Sequence, residues 1–197
     1  MSPDRPLVYV IRHGQTDWNV EGRLQGQADT PINQRGRNQA AENGRRLALA
    51  IGSPADFHFV ASPLWRTRET MELLRQGMGL TAGGYATDPA LMEVHFGDWQ
   101  GATLSEVEAH APGSIAARGA DKWTFRPPGD AAESYAMLCE RVRPWFEAID
   151  RPTVCVTHGG VMRCLFAMHG TPGETAASLD IPQDKVLRWQ GGRLFWM

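Results

Sequence analysis

The sequence predicts an α/β fold, a three-layer helix-sheet-helix arrangement around a mainly parallel central sheet. Three observations predict it. Two short apolar runs, Leu7-Val8-Tyr9-Val10-Ile11 and Thr153-Val154-Cys155-Val156-Thr157, each stop at a histidine followed by glycine, and runs of this length suit strands buried on both faces. Strand-type and helix-type segments alternate along the chain, as crossover units require. The 197 residues contain no linker, repeat or low-complexity tract, so residues 1–197 read as a single domain with a full-sized core.

The first run opens the sheet, and a polar, glycine-containing loop follows from Gly14 to about Pro31. Asn33 then caps a helix carrying Ala40, Ala41, Leu47 and Ile51. Phe57 to Ala61 reads as a second strand ending at Ser62-Pro63. Leu64, Met71, Leu74 and Met78 recur behind it at helical spacing, with Arg66 in the first turn and Arg68 turned to the surface. Thr103-Leu104-Ser105-Glu106 has the form of a capping box. From about Ala111 to Ala132 no period is visible, and Arg118, Lys122, Trp123 and Arg126 lie among Gly and Pro. Residues 103–132 are therefore expected to form a lid or specificity region, the latter part a long loop. Tyr135, Leu138, Val142, Trp145, Phe146 and Ile149 mark a further helix, with a kink or break expected near Arg143 because Pro144 lies inside it. The end of the chain, Val186 to Trp189 and Arg193 to Trp196 around Gln190-Gly191-Gly192, reads as an antiparallel hairpin at the sheet edge.

Two histidines leaving the sheet at its carboxyl edge make an active-site candidate, because open α/β sheets bind ligands there. His13 stands in the string Arg12-His13-Gly14-Gln15-Thr16-Asp17-Trp18-Asn19. A guanidinium, a hydroxyl, an amide and flexible backbone around one imidazole are groups that hold a phosphate. His158, with Gly159 and Gly160, closes the second run.

RHGQTDWN and GRLQGQADTPIN, then ASPLWRTRET around Arg66, LMEVHFGDWQG around Glu93 and VTHGG around His158 resemble, block by block and in order, the histidine phosphatase superfamily of phosphoglycerate mutase-like proteins. The resemblance implies the phosphoglycerate mutase-like fold and a phosphohistidine at His13. An imidazole can attack phosphorus near neutral pH without a metal. Arg12, Arg66 and His158 would then surround the equatorial oxygens, with His158 useful as a cation if neighbouring negative charge raises its pKa. Glu93 would shuttle the proton to the leaving oxygen and from attacking water. Thr16, Asn19, Gln25, Gly26 and Gly159 complete the expected substrate-binding set. His95 has no assigned role, and His58, His110 and His169 are expected to be structural or solvated.

FGDWQG and the short stretch after the Glu block resemble the phosphatase branch more than the mutases. The expected function is a metal-independent, histidine acid phosphatase-like phosphomonoesterase acting on small phosphorylated metabolites. Phosphoglycerate mutase-type transfer, an α-ribazole phosphatase, a protein phosphatase and a non-catalytic phosphate-binding module are the alternatives. The Asp130-Ala131-Ala132 stretch departs from the tighter Gly-Glu-Ser usual in the family.

A net charge of −2 gives no reason to expect nucleic acid or a membrane surface as partner. Cys139, Cys155 and Cys164 form no CxxC pair and read as small core residues in a reducing compartment. The start MSPDRPLVYV lacks the pattern of a signal peptide, and no stretch approaches the ~20 apolar residues of a membrane span. The expected location is cytoplasmic. No cofactor and no metal ligand set are expected; the expected partner is a small-molecule phosphate ester, with a homodimer left open.

Overall fold

The computed structural model describes residues 6–197; the leader reading of residues 1–5 lies outside them. In chain order the elements are β1 (Val8–Arg12), α1 (Asp17–Glu21), α2 (Gln34–Ala50), β2 (His58–Ala61), α3 (Trp65–Gly77), β3 (Ala86–Thr87), α4 (Leu104–His110), α5 (Ser114–Ala120), α6 (Tyr135–Glu147), β4 (Thr153–Thr157), α7 (Gly159–Met168), α8 (Gly173–Ser178), β5 (Val186–Gln190) and β6 (Arg193–Trp196). The strands form one sheet in the order β3-β2-β4-β1-β5-β6. β3, β2, β4 and β1 are parallel, whereas β5 and β6 run antiparallel at the other edge.

Alternation along the strands divides the core in two. Val8 and Val10 of β1, with Val60, Cys155 and Leu187, pack against Leu138, Val142 and Phe146 of α6 and Val161, Met162 and Leu165 of α7. Tyr9 and Ile11, with Phe59, Val154 and Val156, pack on the opposite face against Leu47 of α2 and Met71 and Leu74 of α3. Successive strand side chains point to opposite faces, so a run apolar at every position is what a sheet covered on both sides requires.

The expected caps form. Asn33 accepts from the backbone N–H of Gly36, and Thr103 and Glu106 make a reciprocal capping box at the start of α4. The hairpin turns through Gly191 and Gly192, both at positive φ (53° and 75°), as a two-residue turn with primed geometry needs. All three cysteines are buried free thiols.

Three expectations are corrected. The loop after β1 contains a short helix, α1, capped by Thr16 with Asn19 three residues on. The stretch read as a long loop contains α5, and aromatic stacking of Trp123 on Tyr135 (6.2 Å) and Phe125 on Trp99 (5.3 Å) holds the following turn to the body. Helix α6 runs through Pro144 without breaking. Val142 and Phe146 are buried on either side of that proline, and their burial outweighs the one backbone hydrogen bond that Pro144 cannot donate.

Candidate active site

The register brings the carboxyl ends of β1, β4 and β2 level: Arg12 pairs with Thr157 and Ala61 with Val156. His13 and His158, the next residues of β1 and β4, therefore emerge side by side, with ring centroids 5.3 Å apart. The backbone N–H of His13 donates to Thr157 O at 2.9 Å and ties the two ends together. A cavity opens above them, lined by Arg12, His13, Asn19, Gln25, Gly26, Arg66 and Glu93 among the expected residues, and by Arg23, Leu24, Phe96, Tyr135 and Arg163 besides.

His13 is 2% exposed. Its Nδ1 lies 2.9 Å from Gly14 O; a carbonyl only accepts, so Nδ1 carries the proton and Nε2 is left with a free lone pair. Burial above all, then the charges of Arg66 and Arg12, hold this imidazole well below its usual pKa and neutral.

His158 is fully buried beside His13. Its Nε2 is 2.8 Å from Ser62 Oγ, while Nδ1 is buried without a partner. The expectation that His158 gains a positive charge is not met. Burial, followed by Arg66, His13, Arg12 and Arg141, drives its pKa well below the usual value, because cations and a low dielectric both oppose a second charge.

Arg66 is fully buried in the first turn of α3 and donates from Nη1 to Ala28 O (2.7 Å) and from Nη2 to Gly26 O (2.6 Å). Burial lowers it to about 10, against Glu93 and Asp29, which favour the cation. Arg12 donates from Nη1 to Ile181 O at 2.8 Å. Each guanidinium keeps a buried Nε–H without a partner. Two rigidly held forks with unspent donors can bind an oxyanion.

Glu93 accepts from the backbone N–H of Val94 (2.9 Å) and of Gly160 (3.1 Å), which fixes its carboxylate at the cavity wall. A Cβ at position 160 would meet the Glu93 carboxylate and stand 3.0 Å from Leu138 Cδ2, so glycine there leaves room for that carboxylate. Asn19 accepts from Gln183 Nε2 at 3.0 Å and Gln25 from Thr30 Oγ1 at 2.8 Å. Two expected residues act at one remove. Thr16 is fully buried and caps α1, with its N–H and hydroxyl directed to Asn19 Oδ1, so it fixes Asn19 rather than reaching the cavity. Gly159 lies beneath the side chains of Arg12 and Arg163.

Of the remaining histidines, His58 and His110 are exposed. His169 bonds Leu165 O, and His95 accepts from Gly97 N–H. Arg68 is exposed as expected.

Tyr135 and Arg163 were missed. Tyr135 read as a core position of α6, which it also is. Arg163 stands four residues after Gly159 on α7, one turn from the His-Gly corner, and that spacing could have found it.

The family model described as histidine phosphatase superfamily (branch 1) matches residues 8–192. A glucosyl-3-phosphoglycerate phosphatase of Mycobacterium tuberculosis is 38% identical over 169 residues, 80% of this chain and 72% of that protein. The protein of the same name from Mycolicibacterium vanbaalenii is 35% identical over 188 residues, 89% and 75% of the two chains. The solved structure of a mycobacterial glucosyl-3-phosphoglycerate phosphatase in complex with VO3 has a TM-score of 0.77 at 30% identity, covering 98% of this chain and 97% of that one.

Proposed function

The chain belongs to the histidine phosphatase superfamily, and on that footing we propose that it hydrolyses small phosphate monoesters by passing the phosphoryl group through His13. The observation that carries the reading is the hydrogen bond from His13 Nδ1 to Gly14 O, which leaves a neutral Nε2 lone pair on a ring that lines the cavity between two guanidinium groups.

In the first transfer, Nε2 attacks phosphorus and the P–O bond to the alcohol breaks, its electron pair leaving with that oxygen. Glu93 delivers the proton to the departing oxygen. In the second, water attacks phosphorus, Glu93 takes the water's proton, and the P–N bond breaks to restore the His13 lone pair and release phosphate. Arg12 and Arg66 stabilise charge on the equatorial oxygens. A neutral His158 that donates from Nδ1 supports the third oxygen without adding charge. The vanadate complex of the mycobacterial relative supports an oxyanion site of this kind. The three unpaired thiols suit a reducing compartment such as the cytoplasm.

Rapid quenching with a substrate labelled at phosphorus tests the proposal. Acid-labile, base-stable label is expected on His13 and none on the His13→Ala protein, whose turnover falls to a trace. With the positive charge supplied by arginine, chelator is expected to leave the rate unchanged. Label on another residue, or a rate restored only by added metal, would overturn the mechanism.

A further inference from the structure

Glu93 has no strand or helix to hold it, since residues 92–96 are irregular. Buried backbone groups of such a segment must find partners elsewhere. Most of them here come from one ion pair on another element. Glu133 stands just before α6 and Arg141 lies in the second turn of that helix. Neither is among the residues that line the cavity.

Arg141 donates from Nε to Glu133 Oε1 (2.8 Å) and from Nη2 to Glu133 Oε2 (2.9 Å), a bidentate pair. Its Nη1 donates to Ala90 O (2.9 Å) and Met92 O (3.1 Å), and Nη2 donates also to Glu93 O (3.2 Å). A guanidinium has five N–H donors, and these bonds engage all five. Glu133 closes the clamp from the other side: Oε2 accepts the N–H of His95 at 3.0 Å, and the Glu133 N–H donates to His95 O at 2.8 Å.

The backbone is thus fixed at Glu93, before it and after it. The Glu93 carboxylate accepts from the N–H groups of Val94 and Gly160, so its place depends on where that backbone runs. With side chains 26% and 15% exposed, Arg141 and Glu133 are shielded enough that removing either partner leaves the other poorly compensated. A lysine at 141 keeps the charge but not the planar fork.

We propose that the Arg141–Glu133 pair is the positioning device for Glu93, holding its carboxylate where it can pass a proton to the leaving oxygen and take one from water, without itself touching the substrate. The proposal rests on the phosphomonoesterase reading above.

Two esters that differ in their need for a proton test it in Arg141→Lys and Glu133→Gln. The phenol of p-nitrophenyl phosphate departs unaided, whereas benzyl phosphate needs its oxygen protonated as the P–O bond breaks. A displaced proton donor costs on the order of 100-fold. In both variants kcat/KM, which reports the first transfer, should fall about 100-fold for benzyl phosphate and about threefold or less for p-nitrophenyl phosphate. With the aryl ester, kcat should fall about tenfold or more and KM with it, with a burst of p-nitrophenol as phosphorylated His13 accumulates. Inhibition by inorganic phosphate should stay within about twofold, because Arg12 and Arg66 are untouched. Glu133→Gln keeps the shape of the side chain and carries the test if Arg141→Lys does not fold. Equal losses on the two esters, or phosphate inhibition weakened in step with turnover, would assign the pair to general stability and overturn the proposal.

Amide exchange followed by NMR reads the clamp without turnover. The Val94 and His95 N–H groups should exchange about tenfold faster in both variants, with those of β1 and β4 unchanged. An enzyme that hydrolyses neither ester would refute the phosphatase reading. Faster exchange at these two residues would still support the clamp, and exchange unchanged there would refute it.

Discussion

Two hydrogen bonds decide which nitrogen of each histidine is free. Gly14 O fixes the proton of His13 on Nδ1. At His158 the choice falls to Ser62, whose Oγ lies 2.8 Å from Nε2 and 3.5 Å from the Leu64 N–H. Among the described residues the Ser62 hydroxyl proton has no other acceptor, so it goes to Nε2 and leaves the ring proton on Nδ1. In Ser62→Ala that tautomer is no longer favoured. Turnover should fall about 10- to 100-fold, as on losing one oxyanion donor or weakening it, with KM little changed. Ser62→Thr should restore most of it. Nitrogen NMR of the labelled imidazole should show His158 moving from the Nδ1–H to the Nε2–H form. Loss of rate without a tautomer change would assign Ser62 to packing. Gly160→Ala offers a second test at this scale. The new methyl collides with the Glu93 carboxylate, so turnover should fall at least tenfold while the protein remains folded by circular dichroism.

Helix α6 carries its proline at an exposed position, one turn before its end. The missing N–H costs the helix one bond, to Glu140 O, while Ala148 N–H still closes on Pro144 O at 3.0 Å. Pro144→Ala restores that bond and removes the steric conflict, worth about 3 kcal/mol in a helix interior. Against this stands the extra freedom of the unfolded chain, about 0.4–1 kcal/mol. A net gain of about 2 to 2.6 kcal/mol is expected. By differential scanning calorimetry the melting temperature should rise about 4–10 °C for a chain of this size. A fall would mean that the proline sets the packing of Phe146 and Trp145 against the sheet.

For the molecule as a whole, the buried histidine pair links stability to pH. His13 and His158 both have folded-state values below the 6.5 of a free imidazole, burial being the main cause and Arg66 the next. Below about pH 6.5 the unfolded chain therefore binds protons that the folded protein refuses, and stability rises with pH across that window. The contribution is fully present above about pH 7 and is lost as pH falls. Each histidine supplies a slope of up to about 1.4 kcal/mol per pH unit. Thermal melts should be level between about pH 7 and 8 and fall steeply towards pH 5, and His13→Gln should make that fall shallower. A melting temperature that held steady down to pH 5 would contradict neutral histidines in the folded state.

The strands, their burial on both faces and the hairpin were legible because each depends on neighbours in sequence. An apolar run has only one use in a covered sheet, and Gly191-Gly192 has the backbone freedom that its turn demands. His13, Arg66, Glu93 and His158 were legible as a set from their motifs, although they lie far apart in the chain. The same local signals misjudged Pro144, whose cost is outweighed by burial that no window of α6 reveals. They also missed α5, whose following turn is docked by Trp123 against Tyr135. Charge was the least legible property. Whether His158 is a cation depends on how deeply the fold buries it and on which guanidinium groups surround it, and Arg66 and Arg12 reach it only through the parallel register of β1, β4 and β2. The sequence by itself determined the layers of the fold and the residues of the candidate site, because periodicity and motif are properties of the chain. The tertiary structure alone decided their protonation and placed Arg163 beside Arg12, because desolvation and Coulomb forces act between groups in space.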